Sequence, residues 1–379
     1  MAFNLIRNSR VFFTTNVNSG GIVQASGFTN TNTFEIQVLD GFSFSQNTGS
    51  ETVTLNEAGA APIRGQRSFN TSLDPVDFSL STYLRPKLNT TTITCEEKVL
   101  WNALAGVDPI GGTNPAWTDG SSTGPVAAQL DFAFSNVHQL QKFGLLIVVD
   151  NACYIVDNAA LDQASIDFGI DAIGMVAWTG KGTALRQITG VTLTDGADVT
   201  IAGGTLSGTA KIKDTTAKYI TNKLSTLELE AGISGGGTAY TIAITGGSIT
   251  IANNLTYLTP ANLGTVNQPI GYFTGTRAIS GSLTAYLRTG AGASATLLDD
   301  MLSSAATADE TKYMLNVSLG GATNSNRVDL EMSGAMLTIP TVSTDQVIST
   351  TINFTAQAYT GSVYDLEETN ELLVKYYAA

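Results

Sequence analysis

The segment Leu80-Ser-Thr-Tyr-Leu-Arg85 is followed 203 residues later by Leu283-Thr-Ala-Tyr-Leu-Arg288, a near copy of the same six residues. After each copy comes a short segment with apolar residues at helical spacing, residues 96–104 in the first case and 294–304 in the second. A strand-like segment and a helix that recur together in the same order predict an internal duplication of the chain.

Further pairs of segments recur in the same order. They are residues 34–41 with 240–247, 62–63 with 269–270, and 162–163 with 345–346. Chance similarity among Thr- and Gly-rich strands would explain any single pair, but the shared order argues against chance. We therefore predict two tandem domains at residues 1–183 and 213–379, joined by a Gly- and Thr-rich linker or small hairpin at 184–212.

Alternation of apolar and polar residues dominates the rest of the chain. Residues 129–135 and 165–173 both show the period of two that is typical of half-buried strands. The predicted fold class is therefore mainly β, with two short helices that each cover one side of a sheet. The same alternation predicts further strands at 33–39, 42–46, 76–84, 219–229, 240–244, 279–287, 327–332 and 348–359.

The composition argues against catalysis. Two cysteines, Cys95 and Cys153, and the single His138 are too few for a metal cluster. No nucleophile lies near His138 in the sequence, and adjacent carboxylates such as Glu96 and Glu97 usually point apart, unlike those of a glycosidase. We expect no catalytic residue, no cofactor and no metal site.

The sequence also argues against secretion and membrane insertion. The first fifteen residues lack the apolar core of a signal peptide. The longest apolar run, residues 145–156, is interrupted by Asp150 and Asn151 and is shorter than the roughly 20 residues that a membrane helix needs. We expect a protein that is assembled in the cytoplasm.

Several runs of residues resemble the major tail tube protein of T5-like siphophages. In the first half these are Leu5-Ile-Arg-Asn-Ser-Arg-Val-Phe12, Asn56-Glu-Ala-Gly59, Arg64-Gly-Gln-Arg-Ser-Phe-Asn-Thr-Ser-Leu73, Ser81-Thr-Tyr83 and Leu100-Trp-Asn-Ala-Leu104. In the second half they include Thr256-Tyr-Leu-Thr-Pro260, Gly281-Ser-Leu-Thr-Ala-Tyr-Leu287 and Ile339-Pro-Thr341. The resemblance covers nearly the whole chain.

The resemblance implies two tandem β-sandwich, barrel-forming domains, each with a short flanking helix. It implies a structural virion protein whose homotrimers form pseudo-hexameric rings, which stack into a long, flexible, non-contractile tail tube that conducts genomic double-stranded DNA during ejection. The implied partners are further copies of the chain, a tape measure protein inside the tube, and the tail terminator and distal tail proteins. The implied location is the virion tail, assembled in the host cytoplasm, with no membrane contact.

A conduit for DNA should not bind it, because lysines and arginines in the lumen would hold phosphates. The formal net charge of −13 fits an acidic or neutral lining. Alternation places four carboxylates on the non-core side of their segments, and these are candidates for the lumen. An exterior, solvated face is an equally good explanation for them. The four are Asp77, Asp131, Asp167 and Asp171.

Contacts between stacked rings require exposed segments. We predict them in residues 46–70, 253–272, 105–126 and 364–379. Trp117 either anchors such an interface or simply covers an edge of the local core. The candidate interface residues in these segments are Thr48, Glu57, Arg64, Arg67, Trp117, Asn254, Tyr257, Leu373 and Tyr376.

Two other functions remain open at this point. An extracellular Thr- and Gly-rich adhesin or surface-layer module would share the composition, although it should carry a secretion signal. A phage depolymerase would need a deep acidic cleft and aromatic sugar platforms, whereas only 8 % of the residues are aromatic.

Overall fold

A computed structural model describes most of the chain. The described residues are 9–53, 67–106, 117–124, 126–133, 139–149, 152–189, 191–193, 198–201, 204–207, 217–232, 237–264, 266–305, 312–321, 326–342, 348–357 and 370–379. Glu57, Arg64 and residues 345–346 of the sequence predictions lie outside these ranges.

The described part of the first half is built from short strands and one helix. They are β1 (Ser9–Thr14), β2 (Thr33–Ile36), β3 (Ser43–Ser45), β4 (Thr48–Val53), β5 (Arg67–Leu73), β6 (Val76–Tyr83), β7 (Pro86–Asn89), β8 (Thr92–Cys95), α1 (Lys98–Ala105), β9 (Gly120–Ser121), β10 (Ala128–Ala133), β11 (Phe143–Val149), β12 (Ala152–Gly169), β13 (Met175–Gly182) and β14 (Ala184–Ile188).

The second half follows a three-stranded antiparallel sheet and repeats the mixture of strands and one helix. The elements are β15 (Val191–Leu193), β16 (Asp198–Ile201), β17 (Gly204–Ser207), β18 (Thr226–Ala231), β19 (Ala239–Tyr240), β20 (Ile244–Ala252), β21 (Thr256–Leu258), β22 (Gly271–Phe273), β23 (Ala278–Tyr286), α2 (Ser294–Ala305), β24 (Tyr313–Gly320), β25 (Arg327–Leu337), β26 (Thr341–Val342), β27 (Ser349–Ala356) and β28 (Asn370–Tyr377).

The first half folds as two sheets that share the long strand β12. One sheet has the order β2-β1-β11-β12-β14, and the other has the order β3-β6-β13-β12. The pairing of β12 with β13 shifts register between Leu161 and Gln163, and such a bulge bends a strand. The strand therefore passes from one sheet to the other at this point.

Helix α1 closes the core of this sandwich. Leu100, Trp101 and Leu104 are fully buried, and the helix ends at Gly106 in the left-handed conformation, which glycine adopts without strain. The Trp101 ring meets the Trp178 ring of β13 edge to face, with centroids 4.8 Å apart. Trp178 Nε1 donates a hydrogen bond to the Thr82 hydroxyl at 2.9 Å, so its polar group is satisfied although it is buried.

The strand pairings of the first half recur in the second half in the same order. The pairs β1–β2, β1–β11, β11–β12, β12–β14, β12–β13, β13–β6 and β6–β3 correspond to β18–β19, β18–β24, β24–β25, β25–β28, β25–β27, β27–β23 and β23–β20. In this correspondence β25 and its continuation β26 take the place of β12. The recurrence agrees with the internal duplication that the sequence predicts.

The two halves are joined by strand pairing at two places. The C-terminal half of β12 pairs with β20 from Gln163 opposite Ala252 to Gly169 opposite Gly246. Strand β28, near the C-terminus, pairs with β10 of the first half. The described strands of both halves therefore belong to one 18-stranded sheet system.

The mainly β fold and both helices are confirmed, whereas some strand limits are wrong. The strand expected at 165–173 ends at Gly169, and the chain then turns. In the segment 219–229 a 3-10 turn occupies Asn222–Leu224, and the strand begins only at Thr226. Alternation does not reveal where a strand ends, because a turn can continue the same pattern. Strand β14, inside the segment expected to be a linker or hairpin, pairs with β12 and completes the first sandwich.

Replacing Trp178 with alanine should lower the free energy of unfolding by about 3–5 kcal/mol, because a large buried side chain is exchanged for a cavity. Chemical denaturation followed by circular dichroism measures this loss. Thr179→Ala, the next residue and on the exposed side of β13, is the control and should change stability by less than about 0.5 kcal/mol. Equal losses in the two variants would contradict the assigned orientation of β13.

Candidate assembly surface

The joined inner strands of both halves form a surface that we call the bridging sheet. It consists of β3, β6, β13, the C-terminal half of β12, β20, β23, β27 and β26, in that spatial order. One face covers the core, with Leu80, Ile166 and Leu283 buried. The opposite face, the open face, is partly or fully exposed.

Small neutral side chains dominate the open face. Along one row of paired residues, Ser81, Ala177, Ser165, Thr250, Ser280 and Thr355 follow one another across six strands. Ser248 Oγ and Ser282 Oγ, one row further along, lie 3.3 Å apart. This face therefore offers hydroxyl groups to solvent rather than a concentrated charge.

Three charged residues of the described strands lie on the open face. Asp77 and Lys181 are directly opposite each other, with Lys181 Nζ donating to Asp77 Oδ1 at 2.6 Å. Asp167 is exposed between Met175 and Ser248. The predicted carboxylates Asp77 and Asp167 thus share one surface, but a lysine offsets one of them.

The other two predicted carboxylates lie elsewhere. Asp171 is exposed in the turn after β12 rather than on a strand, so the expected strand face does not include it. Asp131 lies on β10, opposite Leu373 of β28, and its Oδ1 is buried without a hydrogen-bond partner. Burial raises the pKa of Asp131, and Lys375 partly offsets this. Alternation assigned all four to a wet face because it does not show which sheet a strand joins.

The junction between β12 and β20 is reinforced by side chains that sequence reasoning did not single out. The buried Asn253 donates from Nδ2 to the carbonyl oxygens of Leu104 at 2.9 Å and Leu161 at 3.1 Å. Asp162 accepts the backbone N–H of Leu255 at 2.7 Å. These bonds tie the second half to the end of α1 and to β12, and an isolated asparagine gives no sequence signal for them.

Tyr257, a predicted interface residue, also belongs to this junction. Its hydroxyl lies 2.9 Å from the Asn158 carbonyl oxygen and 2.8 Å from the Lys181 carbonyl oxygen. Burial raises the pKa of this hydroxyl well above its usual range, so it remains a neutral donor. Tyr257 therefore contacts the first half of its own chain.

Two hairpins extend from the same end of the bridging sheet. Strands β4 and β5 form the first, and β21 and β22 form the second. Of the predicted interface residues, Thr48 and Arg67 are exposed on the first hairpin and Asn254 is exposed at the base of the second. Both hairpins also expose large apolar side chains, including Phe69 and the fully exposed Leu263.

The remaining predicted interface residues pack within the chain. Tyr376 of β28 is fully buried, and the Trp117 ring lies against it with centroids 5.3 Å apart. Leu373 lies on the same strand between β10 and β25. Tyr376 is therefore not available to a neighbouring molecule, and Trp117 covers an edge of the local core. Strand β28 is apolar because it completes a sheet inside the chain.

The bridging sheet has an open edge at each end. In the described part of the chain β3 pairs only with β6, and β26 pairs only with β27. Val342 of β26 is 41 % exposed and the neighbouring Ile339 is 49 % exposed. Unpaired strand edges are templates for pairing with another chain.

The described residues contain no group of three or more His, Cys, Asp or Glu side chains that could hold a metal ion. Neither described helix is long and apolar enough to cross a membrane. Cys95 and Cys153 are free and buried, and burial raises the pKa of Cys153 to about 12.

A chain that carries one sheet through two repeated sandwiches and leaves an unpaired edge at both ends is a building block for a larger β assembly. No family model matches the sequence. The tail tube protein pb6 of Escherichia phage T5 is 32 % identical over 367 residues, which span 94 % of this chain and 73 % of pb6. The chain belongs to the family of phage tail tube proteins that includes pb6. It is a structural component of the virion, and nothing favours the adhesin alternative.

Replacing Asn253 with alanine should lower the free energy of unfolding by about 2 kcal/mol or more, because the buried Leu104 and Leu161 carbonyl groups would lose their donor. Thermal and denaturant unfolding measure this change. Thr256→Ala, on the exposed side of β21, should be close to neutral. A neutral Asn253→Ala variant would show that these bonds do not hold the junction.

Proposed function

We propose that three copies of this chain close into a pseudo-hexameric ring, and that such rings stack into the non-contractile tail tube of a siphovirus. Each chain would contribute two similar domains, 1–183 and 213–379, with residues 184–212 between them. The observation that carries the proposal is the β12–β20 pairing inside one chain. In the repeated topology, the two open edges β26 and β3 are the equivalents of β12 and β20.

The internal pairing predicts the register between chains. Ser165 of β12 lies opposite Thr250 of β20. Matching Tyr83 with Tyr286 and following the strand registers makes Thr341 the equivalent of Ser165, and Ser45 the equivalent of Thr250. We therefore expect Thr341 of one chain to pair opposite Ser45 of the next chain around the ring.

Closure of the ring would turn the open face of the bridging sheet toward a central channel. A lining of serine, threonine and alanine with few charges would neither bind phosphates nor present an apolar surface to a hydrated polymer. This composition suits a passage for genomic double-stranded DNA during ejection. Before ejection the same channel would hold a tape measure protein, and tail terminator and distal tail proteins would cap the tube. Assembly would take place in the host cytoplasm.

Stacking of rings would bring opposite ends of the sheet together. Thr48, Arg67 and Asn254 remain candidate contacts at the hairpin end, with the apolar side chains of Phe69 and Leu263 beside them. At the other end Ile170, Ile173 and Leu224 line an open depression of about 290 Å³. Contact between unlike surfaces repeats without closing and gives an open filament, as a tube of many rings requires.

Cysteines at the predicted pair, Ser45→Cys with Thr341→Cys in one chain, should link neighbouring chains, because opposed residues in antiparallel strands have Cβ atoms about 4.5–5.5 Å apart. Mild oxidation of assembled protein followed by denaturing electrophoresis should give dimers and trimers of the 39.6-kDa chain. The native cysteines are buried and should not interfere.

Ser165→Cys with Thr250→Cys is the matched control, since it places the equivalent pair inside one chain. It should form a disulfide without raising the molecular mass. If assembled rings form and the Ser45–Thr341 variant gives no species larger than a monomer while the control closes, the proposed register is wrong.

A lysine on the open face should slow DNA passage. Ser280→Lys places one new cation per chain on this face, and each phosphate that it neutralises strengthens binding in a salt-dependent way. Phage carrying the variant should eject DNA more slowly at low salt than at high salt. Gln187→Lys adds the same charge on β14, outside the bridging sheet, and should leave ejection unchanged. Equal effects of the two variants would place the channel on another surface.

A further inference from the structure

A buried carboxyl group holds the C-terminal strand through its tyrosine. Glu97, at the start of α1, is 2 % exposed. Its Oε1 accepts the Tyr376 hydroxyl at 2.7 Å and the backbone N–H of Arg85 at 3.3 Å. The Tyr376 oxygen in turn accepts the Trp101 indole N–H at 2.9 Å. Three buried side chains from α1, β28 and the preceding loop thus form one hydrogen-bonded chain.

Tyr376 matters because of what its strand connects. Strand β28 pairs with β10 of the first half on one side and with β25 of the second half on the other. It is thus the second place, after β12–β20, where strand pairing joins the two halves. Its ion pairs, Lys375 with Glu331 and Glu371 with Arg277, lie on the more exposed side of the strand.

The charged groups around Glu97 do not neutralise it. Arg85 forms an ion pair with Glu96 at 3.6 Å, and Lys98 pairs with Asp119 at 3.3 Å. Glu96 adds a second negative charge beside Glu97. The buried Cys95 thiol and the Tyr376 hydroxyl complete the titratable groups that face the site, and burial raises the pKa of both.

We propose that protonation of Glu97 controls how firmly β28 is held against the first half of the chain. With the carboxyl group neutral, the site buries no net charge and the Tyr376 bond closes it. With the carboxylate charged, its burial is costly, and displacement of Tyr376 admits the water that solvates it. The device acts on the outer connection between the two halves and leaves the β12–β20 pairing unchanged.

The pH range follows from the direction of the shift. Burial raises the pKa of Glu97 from 4.5 to about 7, and Glu96 adds to the rise, while the bonds from Tyr376 and the backbone lower it. The folded chain therefore takes up a proton that the unfolded chain releases. This stabilisation is fully present below about pH 4.5 and is lost as the pH rises through about 7.

Hydrogen exchange of β28 tests the proposal. Protection of its amides in the full chain, corrected for intrinsic exchange, is measured from pH 5.5 to 8.5. We expect protection to fall several-fold across pH 7 in the wild type and to stay flat in Glu97→Gln, which is neutral at every pH. Glu96→Gln is the matched control and should keep the transition, moved to slightly lower pH.

A second variant covers the case in which Glu97→Gln does not fold. Tyr376→Phe removes a bond that favours the charged carboxylate, so the transition should move to higher pH. The proposal is overturned if wild-type protection shows no transition in this range, if Glu97→Gln keeps it, or if Tyr376→Phe leaves its midpoint in place.

Discussion

Backbone hydrogen bonding at strand edges is the constraint on which this structure depends. A strand edge inside a protein must be paired, because unsatisfied N–H and C=O groups are costly to bury. The chain meets this requirement at its own midpoint by pairing β12 with β20, which makes one bridging sheet out of two sandwiches. The equivalent edges at β3 and β26 are left for another copy of the same chain. Folding and assembly therefore use the same interaction.

The long strand β12 separates the chemistry of the two faces. Its N-terminal part is buried between sheets, and its C-terminal part alternates between core residues and the open face. Because β6, β13, β20 and β23 follow the same register, their small polar residues align in rows across the sheet. The net charge of −13 is thus carried mostly by other surfaces, and the open face is close to neutral.

The sequence predicted the elements whose signal is local. The alternation in 76–84 indicated which side of β6 faces the core, and apolar residues at helical spacing indicated α1 and α2. The places of Asp131 and Tyr376 were not predictable, because they depend on β28 pairing with β10 some 240 residues earlier in the chain. The role of Asn253 depends on carbonyl groups of α1 and β12, which no spacing in the sequence reveals.

Electron cryo-microscopy of the assembled protein at side-chain resolution tests the central claim most directly. The account predicts rings of three chains in which β26 of each chain pairs with β3 of the next, with Thr341 opposite Ser45, and in which the serine- and threonine-rich open face lines the channel. A ring in which β3 or β26 stays unpaired, or in which the open face points outward, would contradict it.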